Sequence, residues 1–173
     1  MKNSKDITAP IIVLVCICLV ASFLLAGVYQ ITSPIIAEHE EAAANEAKKA
    51  VLPNGDTFEE VAIDPEKLVP GVTNVYKAAN GVGYAISTNV KGMYAGLKIM
   101  VGVNSNGEVS GVNVLANEET AGIGSKAMDP AYLEKYIGVK SADTVDGISG
   151  ATYSSKGVKT AINAALAMAS ELK

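Results

Sequence analysis

Hydrophobic and polar positions divide the chain into three regimes. The first is an unbroken apolar run: no residue from Ile7 to Ala37 is charged, and Ile11–Val28 (IIVLVCICLVASFLLAGV) is apolar throughout apart from Ser22 and Gly27. At 1.5 Å per residue that stretch makes a helix of roughly 27 Å, about one hydrocarbon thickness. It predicts a single membrane-spanning helix. A cleaved signal peptide would have a shorter apolar core, about 7–15 residues, followed by a small-x-small cleavage site. The end of this run, LLAGVYQIT, has no such site, and a lipoprotein signal would need a small residue where Val15 precedes Cys16.

The second regime is polar and rich in alanine. SPIIAEHEEAAANEAKKAV predicts a helix with Ser33 as its cap and Pro34 at its first position. Asn54-Gly55 and Asp64-Pro65 read as linker and entry to the domain. The third regime begins near Val72 and changes period. VTNVYKAANGVGYAISTNVKG and GLKIMVGVNSNGEVSGVNVLANE each predict two extended segments around an Asn-Gly turn, at Asn80-Gly81 and Asn106-Gly107. An antiparallel meander follows from these. A polar loop (EETAGIGSKAMDP), a short helix from about Pro130 to Tyr136 and a second loop lead to a last helix. In it Val158, Ile162, Ala165, Leu166, Ala169 and Leu172 share one stripe suited to packing on the sheet. The expected fold class is α+β behind a membrane anchor. The divisions are 1–33 (cytoplasmic N-terminus and transmembrane anchor), 34–70 (membrane-proximal helix and linker) and 71–173 (domain).

Charge adds orientation. Lys2 and Lys5 precede the apolar run while Glu38, Glu40 and Glu41 follow it, which predicts a cytoplasmic N-terminus and a C-terminal domain on the extracytoplasmic side of the cell membrane. Both cysteines, Cys16 and Cys18, lie inside the run, and the single histidine, His39, falls on the polar helix just past it. Iron–sulfur clusters need several Cys, haem usually needs a His, and zinc sites are built mostly from both. Any redox chemistry in the domain must then be carried by an organic cofactor.

The segment with chemical content is DGISGATYSS, Asp146–Ser155. Ser149 and Thr152 sit just before a helix expected to start near Ser154, where unpaired backbone N–H groups and the helix dipole favour an anion such as phosphate. The alternative is that Thr152 or Ser154 merely caps the helix. Hydrolytic readings fail: a nucleophile elbow needs Gly where Ala151 stands, the domain has no histidine to form a Ser-His pair, and Ser-x-x-Lys is absent. GIGSK at Gly122–Lys126 is too short for a phosphate-binding P-loop and reads as a loop. The adjacent Glu118 and Glu119 point apart on an extended chain and make a poor acid/base pair.

Asp146-Gly147-Ile148-Ser149-Gly150-Ala151-Thr152 resembles the Asp-x-x-Ser/Thr-Gly-Ala-Thr/Ser motif of FMN-binding domains, and every fixed position matches. NEETAGIGSK is similar to the Glu-Thr-Pro-Gly-Leu-Gly segment upstream in the same domains, with Ala121 for Pro and Ile123 for Leu. The plan of the chain resembles the G subunit of Rnf electron transport complexes, with the C subunit of the sodium-translocating NADH:quinone reductase as a close relative. The resemblance implies FMN joined by a flavin transferase to Thr152 through a phosphoester, making the chain a flavoprotein and, in that sense, a phosphoprotein. Asp146, Ser149, Gly150, Ala151, Glu119 and Thr120 would form the rest of the binding segment. Tyr153, and Tyr84, Tyr94, Tyr132 or Tyr136, could contact the ring. The implied role is an electron carrier with no substrate chemistry of its own, partnered by other Rnf subunits, the transferase and membrane lipid, and not by nucleic acid. The alternatives are a flavoprotein like that C subunit of the quinone reductase and a non-redox exported binding or pilin-like module, in which SGAT is only a helix cap.

Overall fold

The computed structural model describes residues 4–64 and 67–172. The chain forms two compact units, residues 1–42 and 43–173.

The first unit is carried by α1 (Ser4–Val51), whose last turns belong to the second unit. An 18-residue window of mean hydropathy 3.1 within it is exposed throughout among the described residues. Phe23, Leu25 and Ile31 are 80%, 71% and 69% exposed. An apolar helix left uncovered over this length is stable in lipid rather than water, so the chain is a membrane protein with one candidate span among the described residues. Pro34 lies inside α1 and not at a helix start, and Ser33 caps nothing. Proline removes one amide donor, yet an apolar helix on one side and an Ala/Glu/Lys-rich stretch on the other propagate through that single loss.

The second unit is a five-stranded antiparallel sheet in the order β1-β2-β3-β4-β5. Its strands are β1 (Phe58–Glu60), β2 (Val72–Ala78), β3 (Gly83–Val90), β4 (Leu97–Asn104) and β5 (Val109–Ala116). Both Asn-Gly turns form where expected, with Gly81 at φ 72° and Gly107 at φ 78°. The register pairs Val75 with Ile86 and Val101 with Val112. β1 lies in the stretch read from sequence as linker and extends the meander by pairing Phe58 with Ala78.

Both faces of the sheet are covered. On one, Ile86, Ile99, Val101 and Val103 meet Val158, Ile162, Ala165 and Met168 of α3 (Thr152–Glu171), each at most 1% exposed. The expected stripe packs inward, with Leu166 and Leu172 at its margin. On the other face the end of α1 buries Ala47, Val51 and Leu52 against Ala78, Ala85 and Met100. Burial on two sides explains why β4 (LKIMVGVN) is nearly continuous in apolar residues instead of alternating.

The end of α1 comes onto the sheet through a paired gap. Gly102 and Gly111 are cross-strand partners, and a methyl at Gly111 would lie 2.8 Å from Val51 Cα, while one at Gly102 would overlap the Val51 carbonyl oxygen. That carbonyl accepts a hydrogen bond from Ser110 Oγ at 2.6 Å, which closes a helix end otherwise left with unpaired acceptors.

Between sheet and last helix, the expected short helix is α2 (Pro130–Leu133), capped by Asp129, which accepts from the Ala131 amide at 3.0 Å. A 3₁₀ turn, Glu134–Tyr136, continues it. Tyr132 and Tyr136 meet edge to face, and their hydroxyl oxygens are 2.8 Å apart. Tyr132 donates to the Asp146 carbonyl at 3.1 Å. A hydroxyl has one proton, so the proton between the two rings belongs to Tyr136.

Replacing Gly102 by Ala should push the end of α1 off the sheet and lower the urea midpoint of the full chain, by about 1–3 kcal/mol in stability, as overpacked cores do. Gly96→Ala, which meets open space, is the comparison, and its loss should come only from the strained φ of 89°. Alkaline pH probes the tyrosine pair. Burial first, then the bond to Tyr132 and that ring's charge, hold the Tyr136 hydroxyl far above its ordinary value. In the unfolded chain it ionises near about 10, so its contribution is whole below that pH and is lost as pH rises beyond it. Tyrosinate absorbance should show Tyr136 silent until the domain unfolds, and Tyr136→Phe should flatten the alkaline decline in stability.

Candidate functional site

Asp146–Ala151 leads into the N-terminus of α3. Gly150, at φ 82°, reverses the chain, and Ala151 occupies the N-cap position. The helix begins at Thr152, two residues earlier than expected from sequence. Neither Thr152 nor Ser154 caps it, and Ala151 has no side chain that can. The Ser155 hydroxyl works instead as a staple, accepting from the Ile148 amide at 3.0 Å and donating to the Ala151 carbonyl at 2.9 Å. It holds the loop in a shape that fixes the helix start.

The first bond of this helix runs from the Ser155 amide to the Ala151 carbonyl at 2.9 Å. Among the described residues, the amides of Thr152, Tyr153 and Ser154 have no acceptor, and the Thr152 hydroxyl is exposed and makes no hydrogen bond. Ser149 is exposed and unbonded in the same way. Three free amides at the positive end of a 20-residue helix form a favourable anion position.

Two shallow grooves meet at Thr152. One, about 400 Å³, runs past Gly147, Ile148, Ser149 and Ser155 to Lys156 and Lys159. The other, about 310 Å³, lies between Gly150–Ser154 and a wall of Met93, Glu119, Thr120, Ile123 and Gly124. The structure thus gathers Ser149, Gly150, Ala151, Thr152, Glu119 and Thr120 at one place, from loops distant in sequence. Asp146 is exposed at the start of the segment, with its carbonyl tied to Tyr132.

Glu119 and Glu118 do point apart: Glu118 is exposed, whereas Glu119 turns inward. Its Oε1 accepts from the Met93 amide at 2.9 Å and its Oε2 from the Ser154 hydroxyl at 2.5 Å. Thr120 anchors the following turn, its carbonyl accepting from the Ile123 and Ser125 amides, both at 3.2 Å. GIGSK, read as a loop, tightens into a 3₁₀ turn from Gly124 to Met128. Of the tyrosines, Tyr153 lines the smaller groove and is exposed, as is Tyr94 near it, while Tyr132 and Tyr136 are buried in the core and Tyr84 donates to the Leu172 carbonyl at 3.1 Å.

Sequence reasoning missed Met93, Ser154, Ser155, Lys156 and Lys159 as parts of the site. The lysines carried a signal, since positions 152, 156 and 159 share one helix face. The Met93 amide carried none.

Residues 92–167 match the family of FMN-binding domains. Over nearly its whole length the chain is similar to the G subunit of the ion-translocating oxidoreductase complex of Methanosarcina acetivorans, with 32% identity over 96% of each chain. The G subunit of the Na(+)-translocating ferredoxin:NAD(+) oxidoreductase complex of Acetobacterium woodii is 28% identical, over 88% of this chain and 86% of the relative. Its counterpart in the proton-translocating ferredoxin:NAD(+) oxidoreductase complex of Clostridium ljungdahlii is 23% identical, over 86% and 84%. The site fits FMN: free helix-terminal amides and two lysines suit a phosphate, and Met93, Ile123 and Tyr153 give the smaller groove an apolar wall suited to a flavin ring. With the FMN-binding match, and with the similarity spanning anchor and domain together, the chain belongs to the G-subunit family of ion-translocating oxidoreductase complexes.

Proposed function

We propose that the chain relays electrons within a membrane-bound ferredoxin:NAD oxidoreductase complex of the Rnf type, coupled to ion translocation, through FMN carried covalently on Thr152. The observation that carries the attachment is the Thr152 hydroxyl, exposed and unbonded at the free N-terminus of α3 where two grooves meet. FMN, when bound, accepts and donates one or two electrons. The protein supplies attachment, orientation and an anchor.

Each residue's part follows from its place. Thr152 would provide the acceptor oxygen for a phosphoester to FMN, its hydroxyl proton passing to the phosphate-bearing leaving group that the flavin donor gives up at the same phosphorus. The free amides of the first turn, with Lys156 and Lys159, offset the charge of the phosphoester. Gly150 and Ala151 leave room for a bulky group beside the backbone, and Ser149 offers a further hydroxyl. Thr120 and Glu119 belong to the facing wall. Asp146 is the residue we assign to recognition by a flavin transferase, a reading supported by its exposure before the turn. Other Rnf subunits and membrane lipid complete the surroundings, with the domain on the extracytoplasmic side. The kinship with ferredoxin:NAD(+) oxidoreductase complexes favours this reading over a flavoprotein of the quinone reductase, and the absence of a side-chain cap at Ala151 weighs against a simple capping role for SGAT.

Thr152→Val tests the attachment. It removes the acceptor atom and keeps the β-branched shape, and because that hydroxyl bonds to nothing in the domain, stability should change by less than about 0.5 kcal/mol. Coexpressed with a flavin transferase, the wild-type chain should gain the mass of one FMN less one water. Thr152→Val should gain nothing, and Ser149→Ala should be modified as the wild type is. Flavin persisting on Thr152→Val would refute the assignment.

Sidedness is tested separately. A reporter active only outside the cytoplasm, fused after Lys173, should be active; one that works only on the cytoplasmic side would reverse the topology.

A further inference from the structure

Three glycines from separate parts of the chain sit where the β3–β4 turn, the 3₁₀ turn and α3 approach one another: Gly92 in the turn between β3 and β4, Gly124 at the start of the 3₁₀ turn, and Gly157 on α3. None has a positive φ, so glycine is there for space and not for backbone freedom. A methyl at Gly157 would lie 2.8 Å from Gly92 Cα and 3.1 Å from the Lys91 carbonyl oxygen. At Gly124 it would lie 2.6 Å from Glu119 Oε2 and 2.7 Å from Ser154 Oγ, and at Gly92 it would overlap Glu119 Oε1. The space left at Gly92 and Gly124 is filled by the Glu119 carboxylate, and the space left at Gly157 by the backbone of Lys91 and Gly92.

That carboxylate is half-buried and, among the described residues, has no basic side chain paired with it. Both of its oxygens are committed to chain segments far from its own, one to the Met93 amide and one to the Ser154 hydroxyl. Charge-assisted bonds of this kind are about twice as strong as neutral ones, and here they join the β3–β4 turn to the first turn of α3. We infer that Glu119 is a positioning residue, a bolt that sets the width of the groove between Met93 and α3 and thereby the presentation of the Thr152 hydroxyl, two residues before Ser154. Both of its carboxylate oxygens are engaged by the protein. This role rests on Thr152 as the flavin-bearing residue.

The donor set explains why a carboxylate is used. An N–H and an O–H both point at it, and only a group that accepts at both ends serves both. Glutamine accepts at one end only and keeps the bridge if the Ser154 hydroxyl turns to accept. Alanine keeps nothing.

The full chain in detergent, as wild type, Glu119→Gln, Glu119→Ala and Gly124→Ala, is measured in two ways. The first is amide hydrogen exchange at Met93. The second is the initial rate of covalent flavin attachment by a transferase at fixed flavin donor concentration. Exchange at Met93 should quicken on the order of tenfold in Glu119→Ala, and attachment should slow on the order of tenfold or more, as expected when a reacting group is displaced. Glu119→Gln should fall between wild type and Ala in both, and Gly124→Ala, whose methyl parts Glu119 Oε2 from Ser154 Oγ, should slow attachment as Glu119→Ala does. Exchange within β4 should be unchanged in all four, which separates a local effect from unfolding. Wild-type exchange at Met93 in Glu119→Ala, or wild-type attachment once that protection is lost, would overturn the inference. A wild-type chain that accepts no flavin would defeat the covalent-FMN reading instead, and the exchange measurement would still decide whether the bolt exists.

Discussion

A long helix docked on a sheet, with its first turn left open, is the constraint around which the domain is arranged. α3 must be held firmly, since its stripe from Val158 to Ala169 supplies much of one side of the core. Its N-terminal amides must also stay free of protein acceptors if an anion is to use them. Hydroxyl side chains that could have capped the helix are therefore engaged elsewhere: Ser155 braces the preceding loop, and Ser154 reaches Glu119. Thr152 is left over, exposed and unbonded.

Close backbone approach makes this possible in two separate places. On one face of the sheet the Gly102–Gly111 pair receives the end of α1, and near the other Gly92, Gly124 and Gly157 let two loops and a helix converge. In both, one oxygen-bearing group finishes the contact: the Val51 carbonyl meets Ser110, and the Glu119 carboxylate meets Met93 and Ser154. Absent side chains bring the segments near, and a hydrogen bond selects one arrangement among those the space permits.

The electrostatics agree with the packing. The chain is acidic overall, with a formal charge of −4, yet the groove past Ser149 is bordered by two lysines in addition to the helix terminus. The carboxylate of Glu119, on the facing wall, gives its two oxygens to the Met93 amide and the Ser154 hydroxyl.

Sequence alone determined the features that repeat at short range. The apolar run, the two Asn-Gly hairpins, the inward stripe of α3 and the Asp-x-x-Ser-Gly-Ala-Thr segment are each legible because their cause lies within a few neighbouring residues. β1 was not legible, since Phe58-Glu59-Glu60 is too short to show a period and becomes a strand only by pairing with β2. Pro34 looked like a boundary because proline usually marks one, but a single missing donor does not stop a helix supported from both sides. The site divided along the same line. Thr152 was marked by its motif, whereas the partners of Glu119 lie 26 and 35 residues away, and one of them is a backbone amide, which every residue but proline possesses. Gly92, Gly124 and Gly157 read locally as loop or helix glycines. Only the tertiary structure decided that they meet, because a contact between distant segments depends on how strands and helix pack together, and no local pattern records that distance.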